Sequence, residues 1–140
     1  MGNNIQSMKK INFEDTQTII KNPEMYLLIN TLSISDQKCL IINTTIAEEE
    51  EIVINKYLKQ NKNIRIIIYG KNCNDETIYK KYKQLLSLGF YNIFIYTGGM
   101  FEWLMLQDIY GKELFPTTKQ ELDFLKYKPN SILNISLLEY

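Results

Sequence analysis

The segment Ile64-Arg65-Ile66-Ile67-Ile68-Tyr69-Gly70 decides the fold class of this chain. Its β-branched residues follow one another almost without a polar interruption. Such a run is typical of a central parallel strand that is buried on both faces. Gly70 ends it, and a polar loop follows over residues 71–76. The sequence therefore predicts an α/β fold with a mostly parallel central sheet flanked by helices.

The residues after this loop predict the second half of a βαβ unit. An amphipathic helix is expected over Thr77–Leu88, because its apolar residues recur at helical spacing and form one stripe: Ile78, Tyr82, Leu85 and Leu86. Gly89 supplies a left-handed position that ends the helix. Tyr91–Tyr96 is the next predicted strand. Strand, helix and strand in this order form one right-handed unit.

The remaining segments predict further elements of one domain, which a length of 140 residues allows. Strands are expected at Met25–Asn30 and Cys39–Asn43, and helices at Ile46–Gln60, Phe101–Gln107 and Gln120–Tyr127. We predict an N-terminal tail over residues 1–12 and the domain itself over 13–118. Residues 119–140 are then a C-terminal extension that packs on the domain or on a partner.

The composition excludes several classes of function. The chain has no histidine, which rules out histidine acid–base chemistry and histidine metal ligands. Its two cysteines, Cys39 and Cys73, cannot form a zinc site alone. We therefore expect no metal and no cofactor. The formal net charge is zero and Arg65 is the only arginine, which argues against nucleic-acid binding.

The sequence predicts an intracellular, cytoplasmic protein with free thiols. Residues 1–20 have no continuous apolar core of a secretory signal, and no apolar run approaches the length of a membrane span. Membrane contact is expected only if Gly2 is acylated, and the acylation motif is imperfect because Gln6 stands where it requires serine or threonine. Heavy use of isoleucine, asparagine, lysine and tyrosine is typical of an AT-rich genome, such as that of a protist or a large DNA virus.

A candidate site is expected at the carboxyl ends of the two central strands, where open α/β sheets bind ligands. One loop there contains Cys73 together with Gly70, Lys71, Asn72, Asn74, Asp75 and Glu76. It leads into a helix N-terminus, where free N–H groups favour an anion or a thiolate. The neighbouring loop contains Gly98 and Gly99, which permit close approach of the backbone. Asp75, Glu76 and Glu102 are carboxylates that this edge brings near, although nothing in their spacing requires a metal.

Four features in order resemble the rhodanese-like domain, the fold of single-domain sulfurtransferases. They are the strand that ends at Tyr69, the loop that leads into a helix, the segment Leu88-Gly89-Phe90-Tyr91-Asn92-Ile93, and the segment Gly98-Gly99-Met100-Phe101-Glu102-Trp103. Leu27-Leu28-Ile29-Asn30 also resembles a strand of that family, with Asn30 in place of the usual aspartate. The resemblance implies three layers, with the sheet in the middle.

The resemblance also implies a chemistry in which a loop cysteine carries sulfur as a persulfide. In that family the cysteine stands directly after the central strand, a position that Gly70 occupies here. Counting back from the segment at Leu88 places it instead near Asn72, beside Cys73. Either Cys73 is a displaced nucleophile, or the catalytic cysteine is lost and Cys73 is incidental.

Two functions follow from these alternatives. The first is a divergent, catalytically silent domain that acts as a protein-binding or structural module with an unknown protein partner. It is favoured because Asp75 and Glu76 make the loop acidic, only Lys71 opposes them, and a reactive thiolate needs positive surroundings. The alternative is a thiosulfate or persulfide sulfurtransferase that uses Cys73.

Overall fold

The strand over Arg65–Tyr69 lies in the middle of a five-stranded sheet. The structure, a computed structural model, describes residues 8–133. All of the strand pairs are parallel, and the strand order is β1-β5-β4-β2-β3. The strands are β1 (Lys9–Ile11), β2 (Tyr26–Asn30), β3 (Thr44–Thr45), β4 (Arg65–Tyr69) and β5 (Ile93–Tyr96).

Helices cover both faces of the sheet, so the predicted three-layer α/β architecture is confirmed. One face carries α1 (Phe13–Ile20) and α4 (Gly99–Tyr110), and the other carries α2 (Ala47–Gln60) and α3 (Thr77–Ser87). Two 3₁₀ turns, Ile34–Asp36 and Phe124–Tyr127, complete the described elements.

The β-branched run of β4 is explained by its position between two apolar layers. Ile67 and Tyr69 belong to the core on the side of α1 and α4, whereas Ile66 and Ile68 belong to the core on the side of α2 and α3. All four side chains are fully buried. Successive side chains of a strand point to opposite faces, so a strand covered on both sides needs apolar residues at every position.

The predicted end of α3 is confirmed at Gly89, whose φ is +107°. The N–H of Gly89 donates to the carbonyl of Leu86, and the N–H of Phe90 donates to the carbonyl of Leu85. Phe90 is buried directly afterwards. This left-handed helix ending turns the chain back under the helix and into β5.

The strand predicted at Cys39–Asn43 is wrong. This segment forms turns with one isolated bridge between Ile41 and Thr117, and the sheet strand begins only at Thr44. Asn43 has a φ of +68°, which breaks an extended conformation. Cys39, Leu40 and Ile41 are nevertheless buried, which explains why the segment has the apolar sequence of a strand.

The two helices predicted after β5 and the predicted N-terminal tail also differ from the structure. The helix predicted at Phe101–Gln107 is longer in both directions, and the one predicted at Gln120–Tyr127 is only a 3₁₀ turn. Within the predicted tail, β1 pairs with β5, and α1 follows it. The domain boundaries after residues 12 and 118 stay a prediction.

The sequence also led to two expectations about membranes. Among the described residues, no helix is long and apolar enough to cross a bilayer. The possible acylation site at Gly2 lies outside the described residues.

Candidate functional site

The two loops at the carboxyl ends of β4 and β5 are in direct contact. The carbonyl of Gly70 accepts the N–H of Met100 at 2.9 Å, and the carbonyl of Lys71 accepts the N–H of Phe101 at 2.8 Å. These bonds satisfy N–H groups in the first turn of α4, which have no partner inside the helix. The loop after β4 therefore caps the helix that follows β5.

Gly99 makes this contact possible. Its φ is +66°, and a Cβ atom there would lie 2.7 Å from the carbonyl oxygen of Gly70 and 2.9 Å from the backbone nitrogen of Asn72. Both neighbours are backbone atoms that cannot turn away. Glycine at this position thus meets two requirements, a left-handed conformation and close approach of two loops.

The carboxylate of Asp75 is bound inside its own loop. One oxygen accepts the N–H of Lys71 at 2.8 Å, and the other accepts the N–H of Thr77 at 3.0 Å. The hydroxyl of Thr77 donates to the same carboxylate at 2.6 Å, and it lies 2.7 Å from the hydroxyl of Thr31. The Asp75 carboxylate thus binds the first N–H group of α3.

Gly70 has no room for a side chain while Asp75 is in this position. A Cβ atom at residue 70 would overlap the Oδ2 atom of Asp75 and lie 2.8 Å from the hydroxyl oxygen of Thr31. A cysteine at the position where the resemblance expects one would require both side chains to move.

Asn72, the other position considered for a catalytic cysteine, is buried and has a structural role. Its side-chain nitrogen donates to the carbonyl of Tyr127 at 2.7 Å, and its side-chain oxygen accepts the N–H of Asn74 at 2.9 Å. The first bond ties the loop to the 3₁₀ turn at Phe124–Tyr127. The loop is therefore held from inside at residue 72 and at residue 75.

The two thiols are free, and they lie in different environments. Cys73 is exposed at the tip of the loop, and its sulfur lies 3.8 Å from the side-chain oxygen of Asn74. Cys39 is buried, its thiol donates to the carbonyl of Lys119 at 3.2 Å, and burial raises its pKa. Lys71 is exposed and forms no ion pair with the carboxylates that the structure describes.

The first turn of α4, directly after β5, holds a second carboxylate. Glu102 accepts the hydroxyl of Tyr96 at 2.7 Å, and its side chain fills the space beside Gly98 that a Cβ atom would occupy. Burial, with this hydrogen bond as the second cause, raises the pKa of Tyr96 well above its usual range. Tyr96 therefore stays a neutral donor to Glu102.

Comparison with known proteins identifies the domain. Residues 40–106 match the family model of the rhodanese-like domain. This chain contains a rhodanese-like domain. None of the curated protein sequences matches it significantly.

Solved structures extend the similarity beyond the matched residues. A protein of Bacillus halodurans, BH2092, has a TM-score of 0.60 and 15% identity, over 88% of this chain and 92% of that chain. The crystal structure of the Alr3790 protein of Anabaena sp. has a TM-score of 0.56 and 20% identity, over 81% and 83%. The solution structure of the rhodanese-like domain of Alr3790 has a TM-score of 0.55 and 19% identity, over 88% and 86%. At this identity the likeness concerns the fold alone.

The rhodanese-like domain does not gather its loop carboxylates into a metal site. Asp75 binds its own loop and Glu102 binds Tyr96. Among residues 8–133, no group of three histidine, cysteine, aspartate or glutamate side chains is close enough to hold a metal ion.

Sequence reasoning missed two residues that shape the loop of the rhodanese-like domain. Thr31 follows β2 at the same sheet edge, and its N–H donates to the carbonyl of Tyr69 at 3.0 Å. Its place directly after a predicted strand was a usable signal. Tyr127 reaches the loop from far along the chain, and nothing near it in sequence indicates that contact.

Proposed function

We propose that this rhodanese-like domain is catalytically silent and acts by binding another protein through the edge formed by residues 70–76. One observation carries the proposal. The N–H groups of Lys71 and Thr77 bind the carboxylate of Asp75, so the loop's own side chain takes amides that would otherwise be available to a substrate anion.

The position of the thiol supports this proposal. Sulfur transfer needs a thiolate, and thiolates are stabilised by nearby cations or by N–H groups directed at the sulfur. Cys73 is exposed at the loop tip, and its thiol donates a long hydrogen bond to the amide oxygen of Asn74. Lys71 is the one cation within the loop, against the carboxylates of Asp75 and Glu76.

The way in which the loop is anchored supports protein binding. Asn72 and Asp75 fix it from inside, whereas Lys71, Cys73 and Glu76 are exposed. A surface that is already ordered loses little conformational entropy when a partner docks, which favours association.

A second candidate function, sulfur transfer by Cys73, is favoured by the exposure of its sulfur. In this reaction the Cys73 thiolate would attack the outer sulfur of thiosulfate. A persulfide would form as the sulfur–sulfur bond of thiosulfate breaks, and sulfite would leave. Cyanide would then take the outer sulfur as thiocyanate and restore the thiolate.

The intact mass of the protein after incubation with thiosulfate separates the two functions. We expect neither the wild type nor Cys73→Ser to gain mass. A gain of one sulfur atom by the wild type alone, reversed by cyanide, would contradict the silent module. It would show instead that the domain is a sulfurtransferase that uses Cys73.

Site-specific photo-crosslinking tests the binding edge. A photoreactive amino acid is placed at Lys71 or Glu76, and a matched control is placed at Tyr91, which is exposed at the opposite end of the sheet. We expect the protein, expressed in its own cells, to capture one discrete partner from positions 71 and 76 and not from position 91. Equal capture from all three positions would contradict this binding edge.

A further inference from the structure

We propose that a groove at the amino end of the sheet binds a small molecule that combines an anionic group with a flat apolar body. The groove has a volume of about 380 Å³ and lies between α1 and the sheet. We call it the amino-end groove and define it by Lys9, Ile19, Tyr26, Arg65, Ile67 and Phe94. It is at the opposite end of the sheet from the loop discussed above, so this inference does not rest on the proposed function.

The floor of the amino-end groove is apolar. Phe94 pairs with Ile67 of β4 on one side and with Lys9 of β1 on the other, so the three side chains share one face of the sheet. Ile67 and Ile19 are buried, whereas Phe94 is only partly covered. The packing of α1 thus leaves part of an aromatic ring open to solvent.

Two cations border this floor. The guanidinium of Arg65 lies 5.7 Å from the ring centre of Tyr26 and donates to its hydroxyl at 3.3 Å. The ammonium of Lys9 lies 5.3 Å from the ring centre of Phe94. Neither cation forms an ion pair with a carboxylate in the described part of the chain. Both are therefore available to an anion.

The one acidic side chain that lines the groove is already engaged. Asp15 accepts the N–H of Asn12 at 3.2 Å, and Asn12 in turn accepts the N–H of Asp15 at 2.9 Å. This reciprocal pair caps α1. With Lys9 and Arg65 the groove keeps an excess of one positive charge.

These features define the chemistry of the ligand. An arginine fork suits the two oxygens of a carboxylate or a phosphate, and the bond to Tyr26 engages only one of its nitrogens. β5 separates the strands of Lys9 and Arg65, which places their backbones about 10 Å apart. A flat apolar body fits between them, over the partly exposed ring of Phe94. The volume falls in the range of small-molecule sites.

The chain's own N-terminal segment is a poorer occupant. Residues 1–7 directly precede β1, and their sequence contains no acidic side chain. They offer no negative charge to complement Arg65 and Lys9.

The test is a titration followed by two-dimensional ¹H–¹⁵N NMR of the full chain. The probes are 4-phenylbutyrate, phenyl phosphate and the neutral 4-phenylbutanol. We expect saturable shifts at Lys9, Tyr26, Arg65 and Phe94 with one or both anionic probes, and weaker binding of the alcohol. The better of the two anionic probes identifies the head group.

Matched variants make the test specific. Arg65→Gln should weaken binding of the anionic probe at least about tenfold, because it removes charge-assisted hydrogen bonds. Lys112→Gln, an exposed lysine outside the amino-end groove, should bind as the wild type does. The thermal midpoint of each variant shows that it is folded.

Several outcomes would overturn the proposal. They are the absence of saturable shifts, equal affinity for the alcohol, shifts confined to other residues, and unchanged affinity in a folded Arg65→Gln variant. A nuclear Overhauser contact between Ile5 and Phe94 in the unliganded protein would assign the amino-end groove to the N-terminal segment instead.

Discussion

Asp75 shows how much one side chain contributes to the candidate loop. Replacing it with alanine removes the acceptor for the N–H groups of Lys71 and Thr77. We expect Asp75→Ala to lower the free energy of unfolding by about 1–2 kcal/mol, as the loss of a helix cap does. Urea unfolding measures this change.

The control for Asp75 is its neighbour Glu76. The Glu76 side chain is exposed and makes no hydrogen bond or ion pair within residues 8–133. Glu76→Ala should therefore change the free energy of unfolding by less than about 0.5 kcal/mol. Equal losses in the two variants would mean that the Asp75 bonds do not hold the loop.

The buried phenols of Tyr69 and Tyr127 provide a second comparison. The Tyr69 hydroxyl accepts the N–H of Ile41 at 3.1 Å and lies 2.8 Å from the hydroxyl of Thr44. The Tyr127 hydroxyl has no partner among the described residues. We expect Tyr69→Phe to cost about 1–3 kcal/mol of unfolding free energy, because it leaves a buried N–H without an acceptor.

Tyr127→Phe, in contrast, should leave the free energy of unfolding unchanged or raise it. It removes a buried hydroxyl that makes no bond within the described structure, and the ring remains. Thermal and urea unfolding of both variants test the pair. A larger loss for Tyr127→Phe than for Tyr69→Phe would contradict the described hydrogen bonds.

The junction between the loop after β4 and the start of α4 depends on Gly99. An alanine there is strained by the positive φ and also meets the backbone of residues 70–72. We expect Gly99→Ala to lower the free energy of unfolding by about 2–5 kcal/mol, the sum of backbone strain and overpacking.

Gly111, at the other end of α4, isolates the first of these effects, the backbone strain. Its φ of +103° is also unfavourable for alanine, but no atom lies within 4 Å of the Cβ position. Gly111→Ala should therefore cost less than Gly99→Ala in urea unfolding. Equal losses of unfolding free energy in the two variants would show that the two loops can shift enough to accommodate a methyl group.

The elements that could be predicted from the sequence are those with a local signal. β4 and α3 were found from an unbroken apolar run and from helical spacing, and Gly89 marked the end of α3. The segment Cys39–Asn43 misled because its burial comes from packing under distant residues, such as the bridge from Ile41 to Thr117. Tertiary contacts of this kind leave no periodic pattern.

The location of the two loops could be predicted from the sequence, but the arrangement of their side chains could not. Strand order and loop position locate residues 70–76 and 98–99 at one edge of the sheet. The inward turn of the Asp75 carboxylate depends on the N–H groups of Lys71 and Thr77, which only a folded backbone brings together. The tie from Asn72 to Tyr127 depends on the path of the C-terminal segment.

At the scale of the molecule, buried tyrosines make stability sensitive to alkaline pH. Burial raises the pKa of Tyr69, Tyr96 and Tyr127, the last to about 12. In the unfolded chain a tyrosine loses its proton near pH 10. Above that pH the folded state binds more protons, so the free energy of unfolding falls as pH rises from about 10 towards the folded-state pKa values.

Each such tyrosine contributes a slope of up to about 1.4 kcal/mol per pH unit in this window and none below it. Urea unfolding between pH 9 and pH 11.5 measures the slope. Tyr127→Phe should make the slope shallower than that of the wild type. Equal slopes in the two proteins would contradict this assignment.

The strand order has a consequence for how the protein is made. β1 is the first strand to leave the ribosome, yet it pairs with β5, and more than half of the chain separates Lys9 from its partner Phe94. During translation this edge strand stays unpaired, while β2 and β4 can already pair with each other. The β1 edge is therefore the part of the sheet that can pair only at the end, and the nascent chain carries an open strand until β5 emerges.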